Sequence, residues 1–175
     1  MNPVDAKRIM AEGCDLLTEL GIKHWLSAGT ALGAYRDGLS DEFLNRDTDI
    51  DVGVLGSDTL SQIVPAFENA GFKRVRVYPV QNLWAQCAME KDGILFDIYF
   101  FNDHDEIVVN INEYGMMIKP RYMIQRLGEL EIDGRTYPVP NPIESYLELR
   151  YGMDWKTPKK EKVAWQDECA NLVLR

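Results

Sequence analysis

The stretch Asp47-Thr48-Asp49-Ile50-Asp51-Val52-Gly53-Val54 restricts the fold more than any other part of the chain. Read as an extended strand, it sends Asp49 and Asp51 to one face and Ile50, Val52 and Val54 to the other. The apolar face demands a core on its side. On the opposite face two neighbouring carboxylates repel and raise each other's pKa values unless a cation lies between them. Oxygen donors of this kind suit Mg2+ or Mn2+. Upstream, Ser27-Ala28-Gly29-Thr30-Ala31-Leu32-Gly33-Ala34-Tyr35-Arg36 reads as a strand end, a small-residue turn and a helix from Thr30 to Arg36. That order puts Gly29 and Thr30 at a helix N-terminus, where N–H groups and the helix dipole favour a phosphate.

A third acid has the same character. Asp97 stands alone in Ile94-Leu95-Phe96-Asp97-Ile98-Tyr99-Phe100-Phe101, and a carboxylate in so apolar a strand is costly without a partner. Placed across from Asp49 and Asp51, it completes a three-carboxylate cradle for two ions, an arrangement suited to in-line phosphoryl chemistry. Asp49 and Asp51 then hold both ions. Asp97 binds the second and orients or deprotonates an acceptor hydroxyl. Arg36 either binds a donor phosphate through its planar fork or pairs with Asp37 or Asp47, and Ser27 either touches phosphate or is bonded to backbone.

Plainer readings stand beside these. Asp47, Asp49 and Asp51 match the first ligands of a calcium loop, but Val52 stands where that loop needs Gly and Asp58 where it needs Glu. Asp97 taken alone pairs with a buried Arg. Gly29 and Gly33 serve helix–strand packing. His24 and His104 lack a second histidine at ligand spacing and read as structural or surface residues. Tyr151 and Trp155 either stack on a ring of the substrate or close a small core. Lys156, Lys159 and Lys160 read as a solvated helix start or a contact for anions.

Along the chain, Asn2 caps a helix that begins at Pro3, carries Val4, Ile9, Leu16, Leu17 and Leu20 as its stripe, and ends at Gly21. Lys23 to Ala28 is a short strand, and the polar segment Asp37 to Arg46 reads as a loop near the site. A helix follows through Leu60, Ile63, Val64, Phe67 and Ala70. Strands then run over Phe72–Val80, Leu83–Glu90 and Ile94–Phe101, with Lys91-Asp92-Gly93 as a turn. Ile107–Ile111 with Tyr114–Ile118 and Leu130–Val139 read as hairpins, Tyr122–Leu127 as a helical turn, and Ile143–Tyr151 and Lys159–Leu174 as closing helices. The 175 residues make one domain, with 1–119 as catalytic core and 120–175 as a C-terminal extension.

A net charge of -9 opposes a nucleic-acid partner held through phosphates, and it leaves a metal to bring in a nucleotide. Cys14, Cys87 and Cys169 are odd in number and widely spaced, which suits reduced buried thiols. The N-terminus does not read as a signal peptide and no segment reads as a membrane span, so a cytoplasmic location is expected.

The blocks Gly29-Thr30-Ala31-Leu32-Gly33-Ala34-Tyr35-Arg36, Asp47-Thr48-Asp49-Ile50-Asp51-Val52, Phe96-Asp97-Ile98-Tyr99 and Tyr151-Gly152-Met153-Asp154-Trp155-Lys156-Thr157-Pro158 together resemble the LicD/fukutin family. The resemblance runs from Trp25 to about Pro158. Where that family usually has Trp-Asp-Asp-Asp-Ile-Asp, this chain carries Arg46 and Thr48 in place of the Trp and the middle Asp. The resemblance implies an α/β (α+β) nucleotidyltransferase fold related to DNA polymerase β, with a mixed β-sheet, flanking helices and a C-terminal helical extension. It also implies a transferase that moves a phosphate-linked group from a nucleotide-activated donor, a CDP-alcohol, to a hydroxyl of a sugar or small-molecule acceptor. Two other readings remain open: transfer of NMP from an NTP to a small molecule or protein, and a non-catalytic nucleotide- or metal-binding regulatory domain.

Overall fold

Helix α1 (Pro3–Glu19) starts as its sequence dictates, with the Asn2 side chain accepting the N–H groups of Val4 and Asp5 and Pro3 at the first helical position. Its buried face is Ala6, Ile9, Met10, Gly13, Cys14 and Leu17. Val4, expected in that stripe, is 76% exposed; the three- and four-residue steps from Ile9 bypass it. The computed structural model describes residues 1–80, 82–158 and 169–174. After α1 come β1 (His24–Leu26), α2 (Ala28–Asp37), α3 (Asp41–Arg46) and β2 (Asp49–Leu55). A 3-10 turn (Ser57–Thr59) then leads into α4 (Leu60–Asn69). Five strands follow: β3 (Lys73–Val80), β4 (Leu83–Lys91), β5 (Ile94–His104), β6 (Ile107–Ile111) and β7 (Gly115–Pro120). The chain closes with α5 (Tyr122–Gln125), the hairpin β8 (Gly128–Ile132) and β9 (Arg135–Val139), α6 (Ile143–Tyr151) and β10 (Leu172–Leu174).

The sheet is mixed, as expected. β2 and β5 are parallel, and β1 pairs antiparallel with β2 on its other edge. The first half of β5 also takes β4, which carries β3; the second half takes β6, followed by β7 and β10. The Asn110 amide donates to both Ala85 O (2.6 Å) and Phe100 O (2.9 Å), which ties β6 to the two strands at this change of partner. Asp92 and Gly93, both at positive φ, form the two-residue turn between β4 and β5.

Alternation sorts the sheet into two faces. Ile50, Val52, Val54, Phe96, Ile98 and Phe100 enter one core with α1 and α4, where Phe67, Phe72 and Phe96 meet edge to face or tilted. The opposite face carries the acids. Two sequence expectations need correction. Asp41–Arg46 is a helix, not loop: Ser40 caps it by accepting the Phe43 N–H, Asp41 and Glu42 suit its first turn, and Leu44 is buried. Its polar exposed side hid a single buried position. The end of the expected helix over 159–174 is strand β10, whose Leu172 and Val173 pair with Met117 and Met116; residues 159–168 of that helix lie outside the described residues. The expected start of α2 at Thr30 moves two residues earlier, to Ala28.

Gly13 is where α1 rests on β5, since an added Cβ would overlap the Phe96 ring. Alanine gains about 0.5–1 kcal/mol in helix propensity, but overpacking a core costs about 1–3 kcal/mol. Phe96 is fully buried between Phe67 and Phe72 and has no space to yield. Gly13→Ala is therefore expected to destabilise by about 1–2 kcal/mol, lowering the melting temperature by about 2–4 °C per kcal/mol. A thermal melt checks this, and an unchanged or raised midpoint would show that the ring moves aside.

Candidate active site

The parallel register of β2 and β5 sets Asp51 directly beside Asp97 and Asp49 beside Leu95. Paired residues of parallel neighbours share a face, so Asp49, Asp51, Asp97 and Tyr99 all line the side away from the core. Asp49, Asp51 and Asp97 each offer an oxygen within 4.8 Å of the others. Asp97 is 1% exposed and Asp51 6%; Asp49 is half-buried. They open onto a cleft of about 1160 Å³, walled by the start of α2, by α3, by α6 and by the face of β3 to β7.

Separate donors hold each acid. Asp51 Oδ2 accepts the Gly29 N–H (3.0 Å), its own N–H donates to Thr30 Oγ1 (2.8 Å), and its carbonyl accepts the Ser27 N–H (3.0 Å). Asp97 Oδ2 accepts from Arg76 Nη2 and Gln86 Nε2, both at 2.7 Å. Asp97 Oδ1 is buried, and no donor among the described residues reaches it. Thr48 Oγ1 donates to Asp49 Oδ1 (3.3 Å).

This crowding has the electrostatic effect that the sequence implies. Burial pushes the Asp97 carboxyl up to about 7, with Asp49 adding to the rise and Arg76 opposing it. Asp51 lies well above the usual carboxylate range through burial and then through Asp49, Asp47 and Asp97. Burial and the same carboxylates raise the Tyr99 phenol. A divalent cation fits this set, because hard oxygen donors converge on one another and the buried Asp97 Oδ1 faces no donor. Asp49, Asp51 and Asp97 are the residues that could hold it.

The other expected site residues gather here too, in different employment. Gly29 and Thr30 bond directly to Asp51, and an added Cβ on Gly29 would stand 3.2 Å from Asp51 Oδ2 and 3.5 Å from Asp47 Oδ2. Ser27 Oγ lies 3.0 Å from the Tyr146 hydroxyl, which also accepts the Ala28 N–H (2.9 Å). Arg36 lines the cleft and donates from Nε to Asp37 Oδ2 (2.9 Å), the nearer of its two expected partners. Trp155 is buried and packs against Tyr35, so its core role is realised, although both it and Tyr151 border the cleft. His24 is buried, with Nδ1 3.0 Å from Ile22 O.

Sequence reasoning missed Arg76, Gln86, Tyr146, Lys119 and Arg150. Lys119 follows Met116-Met117-Ile118 and was open to the logic applied to Asp97, a lone charge in an apolar strand. It is 2% exposed, its Nζ lies over the rings of Phe101 (3.7 Å), Tyr146 (4.9 Å) and Trp25 (5.5 Å), and burial draws its pKa down to about 7. The rest carried no local signal: only the register of β3 on β4 on β5 brings Arg76 and Gln86 to Asp97.

The folded-state pKa values of Asp51 and Asp97 are raised, so the metal-free fold binds more protons than the unfolded chain between about pH 4 and about pH 7. Through these two groups its stability falls as pH rises across that window. A divalent cation competes with the same protons and is expected to stabilise more at pH 7.5 than at pH 5.5. Melts in EDTA and in Mg2+ at both pH values test this; an equal Mg2+ effect at both would exclude these carboxylates as ligands. Replacing both donors to Asp97, Arg76→Met with Gln86→Leu, frees its carboxylate to rotate and is expected to weaken Mg2+ affinity by about 10–100-fold, read by titration calorimetry.

Comparison with known proteins agrees with this geometry. Residues 21–142 match the family model described as LicD/FKTN/FKRP, nucleotidyltransferase domain. Ribitol-5-phosphate transferase FKTN of Homo sapiens is 28% identical over 159 residues, covering 89% of this chain and 34% of that protein. Protein RP689 of Rickettsia prowazekii is 37% identical over 159 residues, covering 81% of this chain and 53% of its own length. The chain thus spans about a third of the FKTN relatives it matches. Among solved structures, ANT(2")-Ia in complex with adenylyl-2"-tobramycin aligns at a TM-score of 0.54 and 18% identity, over 77% of this chain and 68% of that one. At that identity the likeness speaks to the fold. Together with the carboxylates on β2 and β5, the match over residues 21–142 identifies the chain as a member of the LicD/FKTN/FKRP family with a nucleotidyltransferase fold.

Proposed function

We propose that this domain transfers a phosphate-linked alcohol from a CDP-linked donor to a hydroxyl of a sugar or small-molecule acceptor, with Mg2+ as the working ion. The convergence of Asp49, Asp51 and Asp97 on one buried surface of a large cleft carries the reading. Family membership and the ribitol-5-phosphate transferase relatives support the reaction class.

Held by the three aspartates, a divalent cation neutralises phosphate charge and makes a nearby hydroxyl more acidic. The protein supplies the rest. Arg76 and Gln86 bind Asp97 through Oδ2 alone, which leaves Oδ1 without a donor among the described residues and available to orient the acceptor hydroxyl or take its proton. At the start of α2, Gly29 and Thr30 hold Asp51 in place, Ser27 lines the cleft beside them, and Arg36 borders the same cleft as the donor-phosphate contact from that helix.

A thermal-shift panel of CTP, ATP, CDP-choline, CDP-ribitol and UDP-sugars with and without Mg2+ tests donor choice. The true donor at a hundredfold over its dissociation constant stabilises by about 2.7 kcal/mol, only with Mg2+, and Asp49→Asn and Asp97→Asn abolish that increment. Mass spectrometry of the product then separates the chemistries: the acceptor is expected to gain the phospho-alcohol, and gain of a nucleotide mass would overturn the proposal.

A further inference from the structure

We propose that Lys119 and Arg150 form a phosphate-binding subsite in the wall of this cleft, distinct from the carboxylates. Both side chains line the cleft. Lys119 comes from β7 and Arg150 from α6, one helical turn after Tyr146, whose ring lies 4.9 Å from Lys119 Nζ. Lys119 is 2% exposed and Arg150 8%. Among the described residues neither has a carboxylate within salt-bridge distance, and Arg150 Nη1 is buried without a hydrogen-bond partner.

Two cations buried in the wall of one cleft are a standing cost. Each loses its hydration, and each repels the other, as the influence of Arg150 on Lys119 shows. Ring faces of Phe101, Tyr146 and Trp25 recover part of the hydration lost by an ammonium. They supply no acceptor for its three N–H donors and nothing for the open edge of the guanidinium. The chain has 28 acidic residues against 19 basic ones, so acidic partners abound. None of the described ones forms an ion pair with either cation, and Asp51 acts on Arg150 only from beyond salt-bridge distance. The missing counter-charge is an anion that enters and leaves.

The donor set selects its chemistry. A guanidinium edge beside a compact ammonium matches the oxygens of a phosphate. The α2 N-terminus does not serve in their place with its leading N–H groups, because those of Ala28 and Gly29 are bonded to the Tyr146 hydroxyl and Asp51. Arg150 also acts electrostatically on Asp51, so a phosphate held by it lies within the field of the carboxylate cluster. The phosphate belongs either to the nucleotide donor or to a phosphorylated acceptor. Only its assignment to the donor rests on the proposed function.

The test is calorimetric titration in EDTA and sulfate-free buffer with pyrophosphate, CDP and ribose 5-phosphate. Wild type is compared with Lys119→Met, Arg150→Gln and Arg150→Lys, and melts are run on each. Lys119→Met and Arg150→Gln are expected to weaken binding by at least about tenfold, with Arg150→Lys retaining part of it. Lys119→Met should leave the melting temperature unchanged or higher, since it removes a buried charge and leaves a thioether among aromatic rings. Stronger binding of CDP than of ribose 5-phosphate assigns the subsite to the donor; the reverse supports it as an acceptor-phosphate site. No binding of any of the three by wild type, or less than about a twofold change in both charge-removing variants, would overturn the subsite, as would a lowered Lys119→Met midpoint with binding intact. Loss of Mg2+-dependent transfer with Lys119-dependent binding preserved would refute the proposed function and not the subsite.

Discussion

Asp51 and Asp97 stand side by side on parallel strands in a surface almost closed to water. Uncompensated, that juxtaposition is costly, since both groups are buried, Asp97 raises the pKa of Asp51, and Asp49 raises that of both. Much of the surrounding structure answers it. The turn after β1 brings Ser27, Gly29 and Thr30 to Asp51, and Ala28 adopts a φ of +39°, an uncommon conformation for alanine, to make the turn. The Tyr146 hydroxyl accepts the Ala28 N–H and fixes the strained residue. In this way α6, far along the chain, becomes part of the mounting of an aspartate on β2. On the other side, β3 and β4 deliver Arg76 and Gln86 to a single oxygen of Asp97.

The opposite face makes this arrangement affordable. Phe96 and Ile98 alternate with Asp97 on β5, as Ile50 and Val52 do with Asp51 on β2, so every acid is flanked by residues anchored in the α1–α4 core. A strand fixed on one face cannot slip by one residue without turning its aspartates into the core. Gly53 continues the acidic face of β2 with no side chain, and the Trp25 indole occupies the space a Cβ would take. The cleft thus passes from charged at Asp49 and Asp51 to aromatic at Tyr99 and Phe101, with Trp25 packed behind Phe101.

Period-two patterning and helix punctuation were legible in the sequence because both are local. Alternation alone put Asp49 and Asp51 on one face, while Asp97 joined them only by supposing that its strand is a neighbour, which the β2–β5 pairing bears out; the strand–turn–helix order set Gly29 and Thr30 at a helix start. Their employment could not be read in this way. Whether the Gly29 N–H faces a ligand or the Asp51 carboxylate depends on a contact across 22 residues. The pairing of Asp97 with Arg76 was visible only as a generic alternative, because strand register decides which arginine arrives. In fact the two readings of Asp97 coexist: Arg76 holds one oxygen while the other joins the acidic cluster. α3 escaped notice for a different reason, since six polar-looking residues with one buried leucine carry too little periodicity to register.

The distribution of charge bears on how so acidic a protein would receive the anionic donor proposed for it. A net charge of -9 works against anion approach at long range, but at physiological salt the field of exposed charges decays within about 8 Å. What matters is the lining of the cleft. Acids still line part of it, among them Asp49, Asp51 and Asp97, but Arg36, Arg76, Lys119 and Arg150 come from four separate elements to the same space. Arg36 and Arg76 have carboxylate partners in the fold; Lys119 and Arg150 have none among the described residues. In a low-dielectric wall an unpaired cation acts more strongly on an incoming anion than the same group would at the surface. Positive charge is therefore few in number and large in effect, placed where surface acids cannot screen it.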